Sequence, residues 1–143
     1  MHRVVFDTVV LVRALINPAG LWGRLVFLSF DRYQLVVSQA LVKEYMDVLH
    51  RPEITRRFRS TEGIDVHRAI ELIGRAEMVE PKSVPAVSRD AKDDMVLAVA
   101  QVAEADYLVS EDQDLLTLGE YEGARIVDAR TFLALLPDRS DAK

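Results

Sequence analysis

The chain has 143 residues, half of them hydrophobic, which is enough for a domain with a substantial core. It contains no cysteine, and this excludes disulfides, thiolate catalysis and thiolate-bound zinc. The net charge of −5 argues against broad electrostatic binding to nucleic acid but leaves room for a local basic groove. We expect one domain over residues 1–136, followed by a polar tail over residues 137–143.

Charged residues interrupt the apolar N-terminal stretch. Arg3, Asp7 and Arg13 fall within it, so neither the core of a signal peptide nor a membrane span fits there. We therefore expect a cytoplasmic protein without a membrane partner.

The N-terminal third alternates apolar runs with helical patterns. A strand is predicted at residues 3–6 and a helix at about 9–16, which ends at the turn sequence Asn17-Pro18-Ala19-Gly20. A second helix, at 21–32, is apolar on almost every side and must be covered on more than one side, partly by another subunit. A second strand is predicted at 34–38.

The alternation continues to the C-terminus. Ser38 caps a predicted helix that carries Glu44. Two polar helices at about 53–58 and 66–76, an edge strand at 77–80 and a loop at 81–89 follow. The last predicted elements are an amphipathic helix at 92–105, a strand at 107–110, a short helix near Leu115, a strand at 125–127 and a helix at 131–136. This pattern is typical of βαβ units and predicts an α/β fold around a mostly parallel sheet.

Four carboxylates that are distant in sequence are predicted to meet at one edge of this sheet: Asp7, Glu44, Asp94 and Asp112. Two of them follow strand ends, and two lie in early turns of helices that begin there. Ligands of open α/β sheets bind at that edge. Two carboxylates about 4 Å apart repel by roughly 4 kcal/mol at an effective dielectric of about 20, so a cation is needed among them. An all-oxygen site suits Mg²⁺ or Mn²⁺, ions that promote phosphodiester hydrolysis.

Each carboxylate alone has a simpler explanation, because acids are common at strand ends and helix N-termini. Asp7 could cap the first helix, and Glu44 could be a solvated surface residue. Asp93 competes with Asp94. If Asp90 is the N-cap, Asp93 completes a capping box at the third helical position, and Asp94 remains for the metal.

The segment 110–114 contains three acids. Either Asp112 or Asp114 could cap the short helix near Leu115, and we assign Asp112 to the metal because it lies nearer the strand end. Asp114 is then an outer acid that positions water. Thr8 and Ser110 are hydroxyls at the same edge that could hydrogen-bond the metal-binding carboxylates, and ordinary capping explains them equally well.

The order and spacing of four segments resemble the PIN-domain nucleases, named for the PilT N-terminus, and especially the VapC-like toxins of toxin-antitoxin pairs. The matching segments are residues 4–8, 38–44, 89–98 and 105–115. The resemblance implies a three-layer α/β/α fold, Mg²⁺- or Mn²⁺-dependent cleavage of RNA, a homodimer and a cognate antitoxin. Carried over by position, the resemblance implies the same four acids, Asp7, Glu44, Asp94 and Asp112, with Asp93 next to Asp94.

The first matching segment departs from the family pattern at one residue. The family usually continues Asp-Thr-Asn, and this chain has Val9 in place of the asparagine. Valine can neither donate nor accept the hydrogen bonds of an amide. We therefore expect a weakened nuclease that retains its metal ligands.

Four basic residues near the predicted acidic edge could contact the phosphates of an RNA substrate: Arg13, Lys43, Arg89 and Lys92. For each one separately, a solvated surface charge is the commoner explanation. No glycine pattern indicates a phosphate loop or a dinucleotide site.

The leading interpretation is a metal-dependent endoribonuclease, the toxin of a pair whose antitoxin covers the acidic cleft. The main alternative is a PIN-like module without catalytic activity that binds RNA or a partner protein. A receiver-like signalling domain is the third, and it would need a lysine that the segment 110–112 does not supply.

Overall fold

A computed structural model describes residues 1–53, 64–84, 86 and 90–136. The strands are β1 (His2–Phe6), β2 (Tyr33–Val37), β3 (Glu77–Met78), β4 (Tyr107–Val109), β5 (Glu120–Tyr121) and β6 (Ala124–Val127). They form one sheet in the order β3-β2-β1-β4-β6-β5, in which only β5 is antiparallel to its neighbour. The predicted mostly parallel sheet is confirmed.

Helices connect the strands and build the outer layers of a three-layer α/β/α fold, as predicted. They are α1 (Thr8–Ile16), α2 (Leu21–Gly23), α3 (Gln39–Leu49), α4 (Ile64–Gly74), α5 (Ala91–Val102), α6 (Gln113–Leu118) and α7 (Ala129–Leu135).

The central strands are continuous apolar runs because helices cover both of their faces. Val4, Val5 and Phe6 are fully buried in β1. The pairing of β1 with β4 extends one residue further, since the Asp7 N–H donates to the Val109 carbonyl at 2.9 Å. Asp7 and Ser110 therefore leave the sheet side by side.

The segment predicted as one helix at 21–32 is more irregular. After α2 the chain forms a π-helical turn, Arg24–Leu28, and then a 3₁₀ turn, Phe30–Arg32. A Cβ atom at Gly23 would lie 1.9 Å from the Pro18 carbonyl oxygen, so this close approach requires glycine. The residues from Leu25 to Phe27 are buried within the single chain, whereas Leu28 is 53% exposed.

The hairpin that joins β5 to β6 was not predicted. Its two central residues, Glu122 and Gly123, have φ values of 52° and 88°, which is typical of a type I′ turn. Glu-Gly is a weaker hairpin signal than Asn-Gly or Asp-Gly. The remaining predicted elements in the described part of the chain are present, with ends shifted by a few residues.

The chain before α7 offers a test of local stability. The Asp128 carboxylate accepts a hydrogen bond from the Thr131 N–H at 2.8 Å. Hydrogen bonds from the Thr131 side chain and backbone lower the pKa of Asp128. We expect Asp128→Ala to lower the free energy of unfolding by roughly 0.5–2 kcal/mol at pH 7.

Because the folded-state pKa is lowered, this stabilisation is present above the unfolded-state pKa of about 3.9 and is lost as the pH falls through the folded-state value. Urea unfolding of the wild type, Asp128→Ala and Asp128→Asn measures it. Asp128→Asn retains a capping oxygen and should lose less free energy of unfolding than Asp128→Ala. Equal stability of wild type and alanine variant at pH 7 would contradict the assignment.

Some predictions fall on residues that the structure does not describe. They are most of the helix at 53–58, the end of the loop at 81–89 including Arg89, and the tail at 137–143. Among the described residues no single helix has the length and apolarity to cross a membrane, although Thr8–Ile16 and Leu21–Leu28, bent by 113°, meet that criterion as a pair.

Candidate metal centre

A cavity of about 290 Å³ opens at the carboxyl ends of β1 and β4. The residues that line it come from α1 and the residue before it, α3 and the segment after it, the start of α5 with its N-cap, and the loop after β4. They are Asp7, Thr8, Val9, Val12, Leu41, Glu44, Val48, Arg51, Glu53, Asp90, Lys92, Asp93 and Asp112. Three of the four acids predicted to meet at this edge are among these residues: Asp7, Glu44 and Asp112.

Ser110 connects two of the acids. Its hydroxyl donates to Asp7 Oδ2 at 2.8 Å and accepts from the Asp112 N–H at 3.0 Å. The side chain of Ser110 is fully buried. Its hydroxyl therefore links the Asp7 carboxylate to the backbone of Asp112 and holds the two groups close together.

Asp7 is unfavourably placed for a negative charge. Burial raises the pKa of its carboxyl, the nearby Asp112 charge raises it further, and the hydrogen bond from Ser110 opposes both. Asp7 occupies the N-cap position of α1, but its carboxylate accepts no well-formed capping hydrogen bond from the helix. The nearby Thr8 and Val9 N–H groups lower the pKa of Asp7 by a smaller amount than burial raises it. Capping alone does not explain a buried acid here.

The structure brings Asp93, and not Asp94, to the cavity. Oxygen atoms of Asp93, Asp112 and Asp114 all lie within 4.8 Å of one another. Asp94 is also buried, at 7% exposure against 4% for Asp93, but it is not among the residues that line the cavity. Successive helical residues point about 100° apart, so the two neighbours face different directions.

Asp90 is the N-cap of α5, and its side chain accepts from the Lys92 N–H at 2.9 Å. With Asp90 as the cap, the sequence placed Asp93 in a capping box and left Asp94 for the metal. Helical side chains lean toward the N-terminus, however, and the N-terminus of α5 adjoins the cavity. The third helical position is therefore well placed to face it.

Asp112 performs the capping role, one of the two roles that the sequence left open for it. Its Oδ1 accepts from the Asp114 N–H at 2.8 Å and so caps α6. A carboxylate has a second oxygen that can bind a metal ion. Asp114 is exposed and lies beside Asp112 and Asp93, near the place predicted for an outer acid.

Glu44 is not a solvated surface residue. Its side chain is 18% exposed, and its Oε1 lies 3.4 Å from Lys92 Nζ. Lys92, for which a solvated charge was the commoner expectation and an RNA phosphate contact the alternative, thus pairs with one of the acids.

The donor set fits a hard divalent cation. Asp7, Glu44, Asp93 and Asp112 offer only carboxylate oxygens, the ligands that Mg²⁺ and Mn²⁺ prefer. A bound cation would also offset the cost of burying the Asp7 charge.

Comparison with known proteins establishes the family. Residues 3–114 match the family of PIN domains. The chain belongs to the PIN-domain family.

Solved structures agree with this fold. VapBC2 from Rickettsia felis, solved bound to a DNA fragment from its promoter, is 12% identical with a TM-score of 0.54, and the match covers 87% of this chain and 96% of that one. PAE2754 from Pyrobaculum aerophilum is 16% identical with a TM-score of 0.53, and covers 94% and 88%. No curated protein sequence matches significantly.

In this PIN domain, Val9 lies beside the acids of the cavity. Its side chain lines the cavity and is 40% exposed. Thr8 lines the same cavity.

The other basic residues predicted for RNA have different positions. The Arg13 guanidinium lies 3.9 Å from Glu111 Oε2 and 5.1 Å from the Trp22 ring centroid. Lys43 is exposed and is not among the residues that line the cavity. Arg89 lies outside the described residues.

Some residues at this PIN site were not predicted from the sequence, among them Arg51, Glu53 and Tyr45. Arg51 and Glu53 line the cavity from the segment after α3, so the helical spacing of α3 does not place them there. Tyr45 is fully buried, and its hydroxyl donates to the Phe6 carbonyl, one residue before Asp7. Burial and the Asp7 charge raise the pKa of Tyr45, so its hydroxyl stays neutral.

Proposed function

We propose that this PIN domain is a Mg²⁺- or Mn²⁺-dependent endoribonuclease and the toxin of a toxin-antitoxin pair. The observation that carries the proposal is the convergence of Asp7, Glu44, Asp93 and Asp112 on one cavity. The resemblance to nucleases of this family supplies RNA as the substrate class. Asp94, predicted from sequence, is replaced by Asp93 in this proposal.

Each side chain has a role that follows from its position. Asp7, Glu44, Asp93 and Asp112 would hold the cation. When bound, the cation activates water and stabilises charge on the phosphate oxygens. Ser110 holds Asp7 in place through its hydroxyl. Lys92 and Arg51 bring positive charge to the cavity wall, where the RNA backbone would approach.

A cleavage assay on assorted RNAs with Mn²⁺ tests this function. The chain offers a matched pair on α3, because Glu44 lines the cavity whereas Asp47 is exposed and is not among the lining residues. We expect Glu44→Gln and added EDTA to abolish cleavage and Asp47→Asn to leave it unchanged. Cleavage that survives both EDTA and Glu44→Gln would refute the metal mechanism.

Val9→Asn should increase the cleavage rate, by roughly tenfold or more if the amide acts as an outer partner of the metal-binding carboxylates. The exposed position can accept an amide without burying an unpaired polar group. Val9→Ala removes the same hydrocarbon without adding an amide and serves as the control. Equal rates for wild type and Val9→Asn would remove Val9 as the cause of weakened activity.

A catalytically inactive module is the second candidate function, and Val9 is the observation that favours it. Calorimetry separates the two functions. Absence of both Mn²⁺ binding and RNA cleavage, with retained RNA binding, would support the inactive module.

We further propose that an antitoxin covers the acidic cavity of a homodimeric toxin in the cytoplasm. The fold shared with VapBC2 supports the toxin assignment. A small open reading frame that overlaps the upstream end of the gene would encode the antitoxin. Its product should copurify with this chain and suppress cleavage, and failure of both would contradict the pairing.

A further inference from the structure

Glu111 lies between Ser110 and Asp112, yet its side chain contacts a different part of the molecule. Its Oε1 accepts hydrogen bonds from the Trp22 indole N–H and from the Ala129 backbone N–H, each at 3.0 Å. The side chain is only 15% exposed. A largely buried carboxylate with two such donors is held firmly.

The partners of Glu111 belong to three separate helices. Arg13 is in α1, Trp22 in α2, and Ala129 begins α7. The Arg13 guanidinium approaches Glu111 Oε2 and also lies over the indole ring, so the partners are held together as well. The loop after β4 is thus attached on both sides, through Ser110 to Asp7 and through Glu111 to the helices.

We propose that Glu111 is a positioning residue that fixes the loop carrying Asp112 for metal binding, and that Trp22 reports the state of this loop. The inference rests on the proposed metal site. A carboxylate anchored one residue before a ligand restricts the backbone directions available to that ligand. Outer partners of this kind change metal affinity by roughly ten- to a hundred-fold.

Mn²⁺ calorimetry on four variants tests the role of Glu111. We expect Glu111→Ala to weaken Mn²⁺ binding by roughly ten- to a hundred-fold. Glu111→Gln should retain most of the affinity, because its amide oxygen can accept from Trp22 and Ala129. Trp22→Phe removes one donor and should give an intermediate loss. Glu120→Ala, at an exposed residue of the edge strand β5, should bind as the wild type does.

The single tryptophan of the chain supplies a second readout. Mn²⁺ should change the fluorescence of Trp22 in the wild type, and the change should saturate together with the calorimetric signal. In Glu111→Ala, the Trp22 emission of the metal-free protein should already differ from that of the metal-free wild type. A purely structural role would lower the melting temperature without separating the alanine and glutamine variants in Mn²⁺ affinity.

The outcomes distinguish the two proposals. Wild-type Mn²⁺ affinity in Glu111→Ala, or equal losses in the alanine and glutamine variants, would overturn the positioning role. Absence of Mn²⁺ binding by the wild type would instead overturn the proposed function. If circular dichroism shows that Glu111→Ala does not fold, Trp22→Phe decides: weaker binding with the fold retained supports the role, and unchanged binding overturns it.

Discussion

Asp93→Asn is expected to abolish Mn²⁺ binding and RNA cleavage, whereas Asp94→Asn should leave both within a few-fold of the wild type. The two residues are adjacent, both are buried, and both substitutions are isosteric. They differ in that Asp93 lines the cavity and lies beside Asp112 and Asp114. Loss of a direct metal ligand should weaken Mn²⁺ binding by more than roughly a hundred-fold, the upper end of the range for an outer partner.

Calorimetric titration with Mn²⁺ and single-turnover cleavage measure this pair. Circular dichroism and thermal unfolding of both variants provide the control, because either buried aspartate can affect folding. Loss of binding in Asp94→Asn with retention in Asp93→Asn would restore the register that the sequence favoured.

Asp7→Asn is expected to abolish Mn²⁺ binding and to stabilise the metal-free fold. Burial and the neighbouring Asp112 penalise the charged form of Asp7. Asparagine removes that charge and can still accept the hydrogen bond from Ser110. We expect a gain of roughly 0.5–2 kcal/mol at pH 7 in EDTA, the range of single stabilising substitutions.

The sign of its pH dependence follows from the raised pKa of Asp7. Below the unfolded-state pKa of about 3.9, the wild-type carboxyl is neutral in both the folded and the unfolded state, so Asp7→Asn gains little stability over the wild type. As the pH rises through the folded-state pKa of Asp7, the wild type loses stability. The difference in free energy of unfolding between Asp7→Asn and the wild type then reaches its full size. Excess Mn²⁺ should stabilise the wild type alone.

Unfolding in urea at several pH values, with EDTA and then with Mn²⁺, checks this behaviour. Asp47→Asn serves as the control, because it also removes an acid but at an exposed position. A lower stability of Asp7→Asn at pH 7 in EDTA would contradict the electrostatic account of Asp7.

The sequence predicted the sheet, and the edge at which the acids were expected, because both depend on strong local signals. The apolar run before Asp7 and the run Tyr107-Leu108-Val109 before Ser110 are buried neighbouring strands. Parallel strands end at the same edge, so residues separated by more than 100 positions could be placed together without a structure.

The details that the sequence could not give depend on orientation. Asp93 and Asp94 differ by a rotation of about 100° around one helix, and the local capping rule favoured Asp94, which is not among the residues that line the cavity. The π-helical turn at Arg24–Leu28 interrupts a segment whose apolar residues lie on every side, so it has no readable face. The pair between Lys92 and Glu44 joins two helices and has no signature in either.

Crystals soaked in Mn²⁺ and measured at the manganese absorption edge offer the most direct test of the acidic cavity as a metal centre. We predict an anomalous peak within coordination distance of carboxylate oxygens of Asp7, Asp93 and Asp112. An empty cavity at saturating Mn²⁺, or a peak beside Asp94 instead, would contradict it.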